Sequence, residues 1–227
     1  MTHRAIPLLA LVTALVAGCN GRSPEGPSAA ESSEGGERGL PEVERYAQRL
    51  DDESRDAWQM PDEVVALLDC ESGDTAVDLG SGTGYFVPRL SRAVGTAGRV
   101  LAIDISASAV EWVSKLAEEQ GLLNVEARRV EADDPALEPR SADRILIANT
   151  WHHIEGRVAY AEKLLPALRR KGQVLVVDFT MESPIGPPPE RRLTVDTVVA
   201  ELQAAGFRTE VLEDTLPHHY VVAARRR

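Results

Sequence analysis

A short apolar run at Ala76, Val77, Asp78 and Leu79 breaks into Gly80, Ser81, Gly82, Thr83 and Gly84. Beyond it Phe86, Val87, Leu90 and Val94 recur at helical spacing. A strand that turns through glycines into a helix is half of a strand-helix-strand unit, and repeated units of that kind build a parallel sheet. Glycines at such a turn let a ligand approach the backbone, where side chains would block it. The pattern alone also suits a dinucleotide enzyme, but that fingerprint puts glycine or alanine where this chain has Tyr85.

The alternation continues along the chain. Pro61 and Asp62 open a helix carrying Val64, Val65, Leu67 and Leu68 ahead of the first strand. A second strand over 100–103 ends on Asp104. Ser106 caps a helix through Glu119 that Gly121 stops, with Val110, Val113 and Leu116 facing inward. Strands are predicted over 125–130, 144–148 and 173–179, with a helix over 160–170 before the last of them. The 173–179 run is nearly all apolar, as in a strand buried on both faces. After the Pro-rich loop 184–189, Thr194 caps a helix to Ala205, which Gly206 ends. Strands over 208–212 and 219–224 follow with no helix fitting between them, so they pair as an antiparallel hairpin or bracket a short loop.

Charge and cysteine content narrow the function. The net charge of -11 argues against a nucleic-acid partner, whose phosphates call for Lys and Arg. With 43% hydrophobic residues in 227, the chain fills one ordinary core. Two cysteines, Cys19 and Cys70, provide no disulfide framework, and Cys70 reads as a small buried apolar residue. Arg4 precedes an apolar stretch over 5–16, too short to span a membrane and ordered like a secretory leader. From Asn20 to Gly39 the chain is rich in Gly, Ser, Pro and Glu, a composition that cannot offset its ordering entropy. The expected organisation is a leader over 1–18, a tether over 19–40 and a folded domain over 41–227.

The run Val77 to Gly84, with a carboxylate two residues ahead of its first glycine, resembles the first motif of class I S-adenosylmethionine-dependent methyltransferases of the type 11/25 kind. That resemblance implies a Rossmann-like, mostly parallel seven-strand α/β sheet with helices on both faces and an antiparallel C-terminal strand. It implies S-adenosyl-L-methionine as cofactor, held by Asp78, Gly80, Ser81, Gly82 and Gly84, with Asp78 serving the loop or the methionine ammonium. Asp104, twenty residues past Gly84, would accept from the ribose hydroxyls with Ile105 beside it. Glu131 or Asp133 would meet the adenine amino group, the sequence not choosing between them, and Asn149 closes the cofactor set. His152 and His153, at the end of the fourth strand where ligands bind in open sheets, are the catalytic candidates, although in-line methyl transfer does not require a base.

Trp58 and Tyr46 are candidates to wall the pocket. His218 and His219 lack metal-ligand spacing, and no metal is expected. With Cys70 the domain's single thiol, a thiol-bound arsenic acceptor is excluded and a small-molecule methyl acceptor is expected. Leu15 to Cys19 also resembles the bacterial lipobox, which implies a lipid anchor at Cys19 and a place in the cell envelope; an unused leader would leave the chain in the cytoplasm. Export would separate the domain from a methyl donor made in the cytoplasm. A membrane-anchored, non-catalytic ligand-binding module of the same fold therefore stands as the alternative, with a dehydrogenase a distant third.

Overall fold

The computed structural model describes residues 53–227. The leader, Cys19, the tether and Tyr46 lie outside the described residues. In chain order the elements are helices α1 (Glu53–Gln59) and α2 (Pro61–Leu68), strand β1 (Thr75–Leu79), α3 (Val87–Val94), β2 (Arg99–Asp104), α4 (Ala107–Glu119), β3 (Val125–Arg129) and β4 (Ala142–Ala148). A 3-10 turn (Trp151–His153), α5 (Arg157–Ala167), β5 (Leu168–Phe179), a second 3-10 turn (Pro189–Arg191), α6 (Val195–Ala204), β6 (Phe207–Val211) and β7 (His219–Arg226) complete the domain.

The seven strands lie in the order β3-β2-β1-β4-β5-β7-β6. Strands β1 to β5 pair in parallel, while β7 runs antiparallel to both β5 and the edge strand β6. From β1 the chain winds outward to β3, then returns to β4 on the other side of β1. The crevice between the carboxyl ends of β1 and β4 is thus the switch point where open α/β sheets bind ligands. Val77 sits at the centre of this arrangement, paired with Leu101 and with Ile145. One face of the sheet is covered by α5 and α6, around Trp151, Leu164, Leu202 and Phe207. The other is covered by α2, α3 and α4, around Leu68, Leu90, Val113 and Leu146.

Local chemistry sets the element ends. Ser106 Oγ accepts from the Ala109 amide at 3.3 Å and Thr194 Oγ1 from the Thr197 amide at 3.2 Å, the two expected caps. Three expectations need correction. The helix expected over 160–170 runs from Arg157 to Ala167, because Gly156 turns the chain in at φ 59° and Leu168 already pairs with Ala142 as part of β5. On α4 the buried positions are Ala109, Val113 and Ala117, whereas Val110 and Leu116 are half-buried. The small alanines let that helix lie close to the sheet, and Leu116 is left to pack at the edge, beside Gly84. Cys70 is half-buried rather than buried, with burial pushing its thiol up to about 12. Among the described residues no helix is long and apolar enough to cross a membrane.

Candidate cofactor and acceptor site

The turn after β1 is fastened to the end of β2. The amides of Gly80 and Ser81 donate to the Ile103 carbonyl at 2.8 and 3.1 Å. Two glycines are needed there for different reasons. Gly80 has φ 74°, and a Cβ on it would stand 2.4 Å from Thr150 Cγ2, so the chain after β4 packs directly on it. Gly82 has φ 52°, yet a Cβ on it would meet nothing nearer than the Gly80 carbonyl at 4.0 Å. The space over Gly82 is open to a ligand that needs bare backbone.

Asp104 serves that loop directly. One of its oxygens accepts from the Gly82 amide and the other from the Ser106 amide, each at 2.9 Å. Each oxygen keeps a further lone pair for a ligand donor. Ile105, next in the chain, is 55% exposed, an apolar surface left uncovered at the sheet edge. Asp78 is only 2% exposed, and its Oδ2, like the buried Ser81 Oγ, has no hydrogen-bond partner among the described residues. Burial pushes the Asp78 carboxyl up to about 7, helped by the charge of Asp104 and opposed by Arg55. A buried acceptor without a donor, at the end of the strand that leads into an open glycine turn, fits the ammonium end of the S-adenosylmethionine that the loop implies.

The turn after β4 contributes a second polar group. Asn149 takes φ 54°, donates its amide to the Val177 carbonyl at 2.8 Å, and sends its side-chain nitrogen to Gln59 Oε1 at 2.7 Å. Asn149 Oδ1 and Gln59 Nε2 remain buried without partners among the described residues. The Gln59 amide escapes a reading of the sequence because it meets Asn149 across 90 residues.

The two candidate histidines part company. His152 turns inward, its side chain 3% exposed, and Nδ1 lies 2.8 and 2.9 Å from the two oxygens of Asp178. The His152 amide donates to the same carboxylate at 3.3 Å. His153 is exposed, its ring centroid 4.1 Å from that of His152. Asp178 had a signal in the sequence, as the lone carboxylate of an otherwise apolar strand. Glu131 and Asp133 are both exposed. The Asp133 carbonyl accepts from Lys163 at 2.5 Å and its carboxylate stands 3.9 Å from the same ammonium, so α5 draws it away, whereas Glu131 bridges back to Asp134.

Helix α1 closes the arrangement. Asp56 accepts from the Tyr85 hydroxyl and pairs with Arg89 at 2.8 Å, while the Arg55 guanidinium lies 3.7 Å from the centre of the Tyr85 ring. Trp58 stacks on His219 with ring centroids 5.8 Å apart and planes 14° from parallel, and lies 6.2 Å from Phe179. It packs on these two rings at the carboxyl edge of the sheet.

Residues 76–172 match a family profile described as a methyltransferase domain, a span that holds the glycine turn, Asp104 and the turn after β4. The chain is 24% identical over 151 residues to aklanonic acid methyltransferase DauC of Streptomyces sp. (strain C5), covering 66% of this chain and 69% of that protein. Over 117 residues it is 27% identical to the ubiquinone/menaquinone biosynthesis C-methyltransferase UbiE of Klebsiella pneumoniae, covering 50% of this chain and 47% of that protein. The chain thus spans about half the length of the quinone-pathway relative. The crystal structure of a SAM-dependent methyltransferase from Aquifex aeolicus superimposes with a TM-score of 0.75 at 28% identity, over 82% of this chain and 98% of that one. Strand order, glycine turn and matched segment agree, and together they support an S-adenosylmethionine-dependent methyltransferase.

Proposed function

We propose that the protein moves the methyl group of S-adenosylmethionine onto a small-molecule acceptor. The observation that carries this reading is the buried, unpartnered Oδ2 of Asp78 at the end of the strand that leads into the glycine turn, where Gly82 leaves open space. When bound, the cofactor supplies an electrophilic methyl group on a sulfonium centre. Asp78 would hold the ammonium, Gly80, Ser81, Gly82 and Gly84 the backbone cradle, and Asp104 the ribose. Ile105 would cover the adenine face. Glu131 suits the adenine amino group better than Asp133, which Lys163 engages. Asn149 and Gln59 would present their spare amide atoms to the methionine end.

Asp178 fixes the His152 ring by its Nδ1, which leaves Nε2 as the basic atom. That atom can take the acceptor's proton once the new bond makes it acidic. His153, exposed and outside this pairing, is assigned no proton transfer. The names of the similar proteins, an aklanonic acid methyltransferase and a ubiquinone/menaquinone biosynthesis C-methyltransferase, support a small-molecule acceptor. Release of S-adenosylhomocysteine by the full-length protein, screened over phenols, quinols, amines and carboxylic acids, tests the reading. Failure of the cofactor to bind at all would overturn it, and binding without turnover on any acceptor would leave the non-catalytic module in its place.

The lipobox-like order ending at Cys19 supports a lipid-anchored place in the cell envelope. Mass spectrometry of the mature terminus tests this: wild type should carry acyl chains and enter the detergent phase, and Cys19→Ala should do neither.

A further inference from the structure

His219 opens β7, which runs antiparallel, so it stands at the same sheet edge as the glycine turn. It is 4% exposed, yet neither ring nitrogen has a hydrogen-bond partner among the described residues. The ring packs in a three-ring cluster, its centroid 5.8 Å from Trp58 and 4.5 Å from Phe179, which are 6.2 Å from each other, and Phe179 is backed in turn by Gly186, where a Cβ would stand 2.7 Å from the ring. Burial pushes the imidazole down to about 4, against the opposing pull of Asp178, so the ring is neutral near pH 7. A neutral imidazole offers one donor and one acceptor, and leaving both unmet in a buried site is unfavourable unless a ligand meets them. Burial for packing alone would be better served by a third apolar ring.

Trp58 adjoins Gln59, whose amide reaches Asn149 on the cofactor side, so the aromatic group and the cofactor cradle share one wall. We propose that His219 is the acceptor-binding residue, hydrogen-bonding a hydroxyl of a planar aromatic acceptor whose ring packs against Trp58 and Phe179. The proposal rests on the methyltransferase reading and names its substrate class. A hydroxyl can donate to the bare ring nitrogen or accept from the ring N–H, so it satisfies one of the two unmet atoms in either tautomer, and a flat ring suits the aromatic walls.

The test uses full-length protein saturated with S-adenosylhomocysteine and two probes that differ by one hydroxyl, 2-naphthol and naphthalene. Wild type should bind 2-naphthol at least about tenfold more tightly, as one hydrogen bond to an otherwise unpaired buried group implies. In His219→Phe the two probes should bind alike, with S-adenosylhomocysteine affinity unchanged and thermal stability no lower than wild type. His219→Gln, which keeps a donor and an acceptor, should restore part of the preference. In protein labelled with nitrogen-15 at histidine, 2-naphthol should move the His219 ring resonances and naphthalene should not. Equal binding of the two probes to wild type, no binding of 2-naphthol, or an undiminished preference in His219→Phe would each overturn the assignment. Loss of S-adenosylhomocysteine binding by wild type would instead overturn the cofactor reading beneath it.

Discussion

The Gly82 amide donates to Asp104 Oδ2 across 2.9 Å, tying the middle of the glycine turn to the end of the neighbouring strand. One carboxylate therefore shapes the turn and remains available to a ligand. Asp104→Ala should weaken S-adenosylhomocysteine binding by about 1.5 to 3 kcal/mol, the range for a hydrogen bond to a charged group, as read by calorimetry. Asp104→Asn, which keeps an acceptor for the Ser106 amide, should fall between. An unchanged dissociation constant in Asp104→Ala would remove this residue from the cofactor site.

Gly80 and Gly82 should fail in different ways. Gly80→Ala drives a Cβ to 2.4 Å from Thr150 Cγ2 at φ 74°, so the variant should melt well below wild type, and Thr150→Ala in the same chain should recover part of the loss. Gly82→Val carries only the strain of its positive φ, of order 1 to 2 kcal/mol, and should stay folded by circular dichroism while losing S-adenosylhomocysteine binding. Retained affinity in folded Gly82→Val would mean that no ligand approaches that backbone.

The parts legible in the sequence are those whose cause is local. The glycine turn, the caps at Ser106 and Thr194, and the antiparallel ending each depend on residues a few positions apart. The mostly parallel sheet with helices on both faces followed because alternating strands and helices admit few topologies. What escaped depends on contacts between distant segments. Asp178 meets His152 across 26 residues and Gln59 meets Asn149 across 90, and no spacing rule joins such pairs. His219 was set aside for want of metal-ligand spacing, which says nothing of the two rings packed against it. The start of α5 was misplaced because Gly156 enters the helix in a left-handed conformation, outside the usual capping residues.

Asp78 should give cofactor binding a pH dependence of definite sign. An unfolded aspartate titrates at 3.8 and the folded one at about 7, so between those values the ligand-free fold holds a proton that the unfolded chain has released. The stability of the ligand-free protein from this group therefore falls as pH rises from about 4 to about 7 and is level above that. A bound ammonium favours the carboxylate, so binding should expel a proton below about pH 7 and tighten as pH rises to that point. Calorimetry with S-adenosylhomocysteine in two buffers of different ionisation heat reads both effects. Asp78→Asn should bind more weakly and lose the dependence; the same pH dependence in that variant would place the titrating group elsewhere.

The His152 and Asp178 pair makes the sharpest demand on turnover. The carboxylate meets the ring at Nδ1 and the backbone amide of the same residue, so it fixes both the tautomer and the turn that carries it. If Nε2 takes the acceptor's proton, His152→Ala should lower kcat by about a hundredfold or more, with S-adenosylhomocysteine affinity intact. Asp178→Asn should retain the ring but present its amide to Nδ1, favouring the wrong tautomer and lowering kcat without a matching change in KM. Because Asp178 also accepts from the Phe179 amide at 2.9 Å, that variant must be shown to melt near wild type before its rate is read. His153→Ala serves as the control: lying exposed outside the pair, its loss should leave the rate close to wild type. A rate in His152→Ala within a few-fold of wild type would reduce this histidine to a scaffold for the turn, with the transfer driven by positioning alone.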